Sequence, residues 1–401
     1  MQAATVAIFI ATYAVVAFGR LPGLRIDRAG AALLGGALMV AIGAVPLEAA
    51  WRAIDWDTIA LLLGMMLVVA HLRLAGFFAM ATAWAVARAR HPLVLLAAVV
   101  LLSGVLSAFL VNDTICIVLT PLVLDIVLHL RRDPVPYVLA IPLAANIGGA
   151  ATLTGTPQNM IVGSLSGIGY GPFAAMLAPV AAAGLVLAFV LLAAIWRREF
   201  FTGGTLVAAA PAWRVDRKLL RKTLAVALAM VAAFFWGMQP AAAALVAGAA
   251  LLATRRVKPA RIYAEIDGPL LLMFAGLFVV VAGLERAVLS ADAVARIAAL
   301  GLDRMAILGV VTAALSNIVS NVPAVLVLRP FVEALPDPAR AWTVVAMAAT
   351  LAGNFTIVGS VANLIVVQRA RARGVEIGFW TYFVAGAPLT IATIAVGLML
   401  L

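Results

Sequence analysis

The stretch "SAFLVNDTICIVLTPL", Ser107 to Leu122, places Asn112, Asp113 and Thr114 in the middle of one of the most apolar runs of the chain. A carboxylate at membrane depth costs roughly 2.5–3.5 kcal/mol on insertion scales, so an acid there pairs, takes up a proton or serves an ion path. A second stretch, "SNIVSNVPAVLVLRP" from Ser316 to Pro330, repeats the same skeleton. Ser107, Asn112, Leu119 and Pro121 correspond to Ser316, Asn321, Leu328 and Pro330, each pair 209 positions apart. Opposite Asp113 stands Val322, so only one half carries the acid.

The surroundings of these stretches set the class. Of 401 residues, 66% are hydrophobic and 11% charged, and the mean hydropathy is +1.15. A soluble domain averages roughly 45–50% apolar and about 25% charged. So much apolar surface finds no soluble core to hide in, and the chain reads as an all-α polytopic membrane protein in the lipid bilayer. The first apolar run, about Ala3 to Phe18, has no basic region before it and no small-residue cleavage site after it. It reads as a retained helix rather than a signal peptide. The net charge of +11 is dispersed in short clusters between apolar runs, as positive-inside loops are, which argues against a nucleic-acid partner. The single cysteine, Cys116, rules out an internal disulfide and a cysteine metal cage.

Those clusters give a topology with both termini outside a bacterial cytoplasmic membrane. Arg20, Arg25 and Arg28 form a first cytoplasmic turn, and Glu48, Arg52, Asp55 and Asp57 an outer one. His71, Arg73, Arg88, Arg90 and His91 are again inside. The apolar run Pro92 to Leu130 is flanked by basic residues at both ends, Arg88 and Arg90 before and Arg131 and Arg132 after. A single crossing would strand one cluster on the wrong side. A re-entrant hairpin satisfies both, with its tip near Asn112, where protein or water can surround non-helical backbone. Continuing in this way yields ten spanning helices and two hairpins. The outer loop Glu285 to Arg304 is neutral, and most of the 28 Lys and Arg fall inside.

The halves match each other beyond the hairpins. "VVAHLRLAG" at Val68 faces "VVAGLERAV" at Val280; Asn146 faces Asn354; "GTPQNMIV" at Gly155 faces "GSVANLIV" at Gly359. By the loop charges the two halves enter the membrane from opposite sides. Residues 1–200 therefore form a first inverted repeat, with a hairpin at about 92–130 and a broken helix at about 137–166. Residues 201–222 are a cytoplasmic loop. Residues 223–401 form the second repeat, with a hairpin at about 305–335 and a broken helix at about 342–367. Each repeat holds about five spans. Inverted repeats with interrupted helices at matching places build secondary transporters, with substrate and ions near the midplane.

Four polar elements are then expected to converge: Asn112, Asp113 and Thr114; Thr154, Gly155, Thr156 and Asn159; Ser316, Asn317, Ser320 and Asn321; and Gly359, Ser360 and Asn363. Glycines at Gly155 and Gly359 permit unwinding, and Pro157 and Pro323 remove amides that would remake the helix. Half-helix N-termini attract an anion, while unwound carbonyls and Asn or Thr side chains can hold a cation. Asp113 is the expected proton or cation carrier. Asp125, His129 and Arg329 fall near the hairpin mouths and read as vestibule or interfacial residues. The three histidines lack metalloprotease spacing and no phosphate-cradling Gly-Lys-Ser/Thr loop is present, so neither an enzyme nor a cofactor or metal is expected.

At these residues the chain resembles the ion-transporter superfamily that includes the ArsB arsenite permeases, the NhaD sodium/proton antiporters and the divalent-anion/sodium symporters. "VNDTICIVLTPLVL" resembles the ArsB-type hairpin, and "TGTPQNMIV" and "SNVPAVLVL" resemble the matching elements of the ArsB-like anion permeases. The resemblance implies an inverted-repeat fold, a homodimer, and substrate between hairpin tips and broken helices. The divalent-anion symporters carry Ser-Asn-Thr at both sites. Here the sites read Val111-Asn112-Asp113 and Ser320-Asn321-Val322; a hydroxyl is lost in each half and a negative charge is added. That pattern suits a small inorganic ion, with arsenite or antimonite efflux coupled to protons or membrane potential as the specific expectation. The alternatives are a sodium/proton antiporter, a permease for another small anion and, across classes, a passive channel.

Overall fold

The computed structural model describes residues 1–18, 26–201, 215–253, 256–288 and 301–401. Arg20 and Arg25 of the first basic turn, most of the loop at 201–222, Arg255, and residues 289–300 of the outer loop lie outside the described residues. Among the described residues every regular element is helical.

In the first half these are α1 (Gln2–Phe18), α2 (Arg28–Ala41), α3 (Leu47–Ala53), α4 (Trp56–Leu74), α5 (Phe77–Arg88), α6 (Pro92–Phe109), α7 (Asn112–His129), α8 (Pro134–Gly149), α9 (Pro157–Ser166), α10 (Tyr170–Ile195) and α11 (Arg197–Phe200). The second half holds α12 (Arg217–Phe235), α13 (Pro240–Leu252), α14 (Pro259–Tyr263), α15 (Gly268–Val288), α16 (Met305–Val319), α17 (Asn321–Glu333), α18 (Pro338–Ala352), α19 (Val361–Arg371) and α20 (Phe379–Leu400). A short 3₁₀ turn, Ile357–Gly359, sits between α18 and α19.

Among the described residues six helices are long and apolar enough to cross a membrane, two of them the arms α6 and α7. The chain is a polytopic membrane protein. Other expected spans are assembled from shorter pieces: α1 has 17 residues, α2 has 14 and α13 has 13. In α12, Arg217, Lys218, Arg221 and Lys222 occupy the first turns and leave a shorter apolar part. One segment departs from its expected loop. Phe77 to Arg88 forms a helix, with Phe78, Thr82 and Val86 buried along one face and Arg88 stacked over the Trp84 ring at 4.0 Å.

Both breaks follow from local chemistry. Helix α8 ends at Gly149, and the chain resumes at α9 because Thr156 accepts a hydrogen bond from the Asn159 amide while Pro157 takes the first helical position. That pairing of a hydroxyl cap with an N1 proline starts helices. In the second half α18 ends at Ala352, and Ser360 caps α19 through the Ala362 amide. Between the arms of the first hairpin only Leu110 and Val111 are non-helical, so Asn112 opens α7 rather than forming a loop. In the second hairpin the turn is Ser320 alone.

The repeats interlock. Helix α2 packs on α15, and α13 packs on α4. A Cβ on Gly276 would meet the backbone of Ala32, and one on Gly64 would meet the backbone of Ala244. A Cβ on Gly36 would lie 3.3 Å from the Gly276 carbonyl, and one on Gly248 3.3 Å from the Gly64 carbonyl. The second member of each pair of contacts stands 212 positions from the first. Each repeat thus lends its second helix to the other. Hairpin α6–α7 rests on α8, and hairpin α16–α17 on α18. Helices α8 and α18 are the innermost elements: every residue from Pro136 to Gly149 and from Ala341 to Ala352 is buried. Outside the membrane, Asp216 heads α12, accepting from the amides of Lys218 and Leu219 at 3.1 Å and pairing with Arg256. The Leu219 amide leads, and Arg256 assists, in holding this carboxyl below its ordinary value.

Candidate substrate and ion site

The hairpin tips and helix breaks meet around a cavity of about 50 Å³. Its wall includes Arg28, Asn112, Asp113, Pro157, Gln158, Ser320, Asn321, Val322, Pro323, Ser360 and Val361. These belong to the first turns, or the caps, of α2, α7, α9, α17 and α19; Leu270 adds the first turn of α15. Six helices therefore begin at one small space. The unpaired amides of a helix N-terminus carry partial positive charge and favour anions.

Beneath the cavity runs a chain of asparagines that joins the repeats. Asn112 Nδ2 donates to Asn146 Oδ1 at 2.9 Å. Asn146 Nδ2 in turn donates to Asn354 Oδ1 at 2.8 Å and to Asn363 Oδ1 at 3.2 Å. Asn354 donates to the Leu143 carbonyl at 3.0 Å. The two halves repeat each other's bonding here. Asn159 donates to the carbonyls of Gly149 and Thr152 at 3.1 and 3.0 Å, and Asn363 to those of Gly353 and Thr356 at 2.7 and 2.9 Å. Ser107 donates to the Ala145 carbonyl, Ser316 to that of Ala349.

The expected site residues divide accordingly. Asn112, Asp113, Ser320, Asn321 and Ser360 line the cavity. Asn159 and Asn363 are fully buried, and their amides close off the carbonyls that unwinding exposes. Thr156 caps α9; Gly155 accepts from the Asn112 amide at 3.0 Å; Gly359 ends the 3₁₀ turn. Ser316 donates to Asn321 Oδ1 at 2.7 Å, and Asn317 donates to the carbonyls of Ala313 and Ala352. Thr114 sits in the first turn of α7, off the cavity wall. Thr154 turns elsewhere, meeting the Tyr170 hydroxyl at 2.9 Å. Tyr170 and Leu153 belong to a separate cavity of about 290 Å³, which also includes Asp57 and Gln239. Near the hairpin mouths, Asp125 pairs with Arg373 and Arg329 with Glu333.

Arg28 and Gln158 are absent from the expected set. Gln158 directly precedes Asn159 and donates to Thr350 at 3.0 Å; its place in "GTPQN" was a usable signal. Arg28 looked like the last charge of a cytoplasmic turn. It also heads α2 and shares the cavity with Asp113, which lies in electrostatic range of both Arg28 and Asp267. No ion pair joins Arg28 to Asp113 among the described residues.

Paired hairpins and broken helices closing on a polar cavity inside a polytopic bundle define a membrane transporter. The chain belongs to the CitMHS citrate transporter family, whose model matches residues 13–352. An uncharacterised transporter of Mycobacterium tuberculosis is 32% identical, the match covering 98% of this chain and 96% of the relative. A silicon efflux transporter of rice, Oryza sativa, is 27% identical, covering 96% and 94%. The crystal structure of the YdaH transporter of Alcanivorax borkumensis superposes with a TM-score of 0.59 at 15% identity, covering 99% of this chain and 96% of that one. That likeness concerns the fold alone.

Proposed function

We propose that the chain is a secondary active transporter carrying a small inorganic oxyacid or its anion across the bacterial cytoplasmic membrane. Arsenite or antimonite efflux, driven by protons or membrane potential, is the specific reading, with Asp113 as the proton carrier. The observation that carries it is the cavity where both hairpin tips and both breaks converge. A volume of about 50 Å³ suits an ion of a few heavy atoms better than the citrate of the family's description. The rice relative, named for silicon efflux, supports a small hydroxylated cargo. The cavity wall includes the first turns of α2 and α15, which the loop charges place toward the cytoplasm, so the cargo enters from inside. Both termini lie outside, and the working unit is a homodimer.

Everted vesicles supply the test. Arsenite, antimonite and silicic acid uptake is measured with and without a proton-motive force. Energised accumulation that an uncoupler collapses is the expected result, and Asp113→Asn removes the dependence on the proton gradient. Vesicles that accumulate none of the three under energisation would overturn the reading, and sodium-driven alkalinisation in the same preparation would replace it with a sodium/proton antiporter.

A further inference from the structure

We infer that the cavity takes an oxyanion that still carries a hydroxyl group, its charged oxygens held by Arg28 and its hydroxyl proton given to Asn112 Oδ1. The inference rests on the transport reading above and names the form of the cargo.

The acceptor side follows from the asparagine chain. A backbone carbonyl can only accept, so Leu143 fixes the orientation of the Asn354 amide, with Nδ2 toward that carbonyl and Oδ1 toward Asn146. The carbonyls of Gly353 and Thr356 fix Asn363 in the same sense. Asn146 must then present Nδ2 to both oxygens, which leaves its Oδ1 for Asn112. Asn112 has no alternative but to donate, and its own Oδ1 is left without a partner among the described residues although the residue is only 3% exposed. A buried polar atom of this kind calls for a partner, and an acceptor calls for a donor. The ligand therefore brings a proton-bearing group or is itself a cation.

The donor side decides between these. Arg28 shares the cavity, and among the described residues its guanidinium meets no hydrogen-bond or ion-pair partner. Its helix is closely seated, since α2 lies backbone to backbone against α15 at Ala32 and Gly276. Asn321 commits its Oδ1 to Ser316, and its Nδ2 makes no hydrogen bond among the described residues. The N-termini of α9, α17 and α19 add positive potential, while those of α2 and α15 are capped by the carboxylates of Asp27 and Asp267. A bare cation would face this guanidinium and these amides, whereas a hydroxyl-bearing oxyanion satisfies both sides at once. Asp113 and Asp267 keep the surroundings from being uniformly positive, which favours a single negative charge over two.

Hydrogencarbonate and nitrate make the test, because both are small, planar and singly charged and only the first carries a hydroxyl. Binding to the purified full-length protein is measured by calorimetry at mildly alkaline pH, with arsenous acid as a neutral hydroxylated probe. Hydrogencarbonate is expected to bind at least about tenfold more tightly than nitrate, a difference of about 1.4 kcal/mol. Arg28→Gln weakens hydrogencarbonate about tenfold, leaves arsenous acid within about threefold, and Arg28→Lys recovers part of the loss. Equal binding of the two anions, binding of neither, or hydrogencarbonate affinity unchanged in Arg28→Gln would each overturn the assignment. The vesicle experiment separates the two claims. Arsenite accumulation without Arg28-dependent hydrogencarbonate binding overturns the assignment alone; the expected binding without any energised flux overturns the transport reading alone.

Discussion

Asn146 makes side-chain hydrogen bonds to three other asparagines, one on its own repeat and two on the other. Truncation to Ala would leave Asn112 Nδ2 and the oxygens of Asn354 and Asn363 short of a partner. Interhelical hydrogen bonds in membranes average only about 0.6 kcal/mol each, but an orphaned buried group costs roughly 1–3 kcal/mol. Asn146→Ala is therefore expected to destabilise by about 2–4 kcal/mol, seen as a lower apparent Tm in detergent; a loss under about 1 kcal/mol would mean that water replaces the amide. Ser320 is a residue-scale case of opposite sign. Its backbone has φ 80° and ψ 159°, a region that only glycine occupies without strain of about 1–3 kcal/mol. Ser320→Gly is expected to raise stability by about 1 kcal/mol, net of the extra chain entropy of glycine, while Ser320→Ala gives no gain; thermal unfolding of the two variants checks this. At this scale the asparagines were legible because they interrupt apolar sequence at matching places. Arg28 was not, since Arg20, Arg25 and Arg28 between two apolar runs have the pattern of a cytoplasmic turn. What distinguishes Arg28 is its nearness to both hairpin tips, a tertiary fact. Likewise the residue type of Asn159 and Asn363 foretells a polar contact without saying whether a carbonyl or a ligand receives it.

At the scale of elements, the breaks depend on close approach. A Cβ on Gly155 would fall on the Gly149 backbone, within the buried end of α8. A Cβ on Gly359 would lie 2.9 Å from the Gly353 carbonyl and 3.0 Å from Asn317 Oδ1, both longer than the approach of a Gly155 Cβ to the Gly149 carbonyl. Overpacking costs about 1–3 kcal/mol where neighbours cannot yield. Both Gly→Ala variants are expected to destabilise, Gly155→Ala more than Gly359→Ala by about 1–2 kcal/mol, as read from thermal unfolding and the yield of monodisperse protein. The reverse order would show that the second break, not the first, is the tighter. Sequence placed both breaks well because the signals are local: a glycine that can leave the helix, then Thr156 with Pro157, or Ser360, to restart it. The helix from Phe77 to Arg88 was missed for the opposite reason. Its Phe, Met and Trp residues are too few for a span, and the basic residues around them suggest a loop; packing against α6 and α7 decides the matter.

On the scale of the whole molecule, the exchange of α2 and α13 between repeats has a mechanical consequence. Internal similarity reveals which helices are equivalent, but not whether Gly64 receives Ala32 of its own repeat or Ala244 of the other. Both choices bring small residues together, and only the three-dimensional arrangement selects the crossed one. A cross-link tests it directly. A Cβ on Gly36 would lie 3.4 Å from Val279 Cβ, close to the separation of about 3.5–4.5 Å that disulfides adopt. The native Cys116 is buried on α7 and does not compete. With a protease site inserted after residue 206, the Gly36→Cys, Val279→Cys protein is oxidised, cleaved and run on a denaturing gel. The uncleaved oxidised protein is expected to migrate as a monomer, and the cleaved halves to stay joined until a reductant is added. Halves that separate without reductant would mean that α2 does not pack on α15. Because those two helices already meet backbone to backbone, fastening them is expected to leave transport in vesicles within about twofold of the reduced protein. A collapse of transport on oxidation would instead show that α2, and Arg28 with it, shifts against α15 during the cycle.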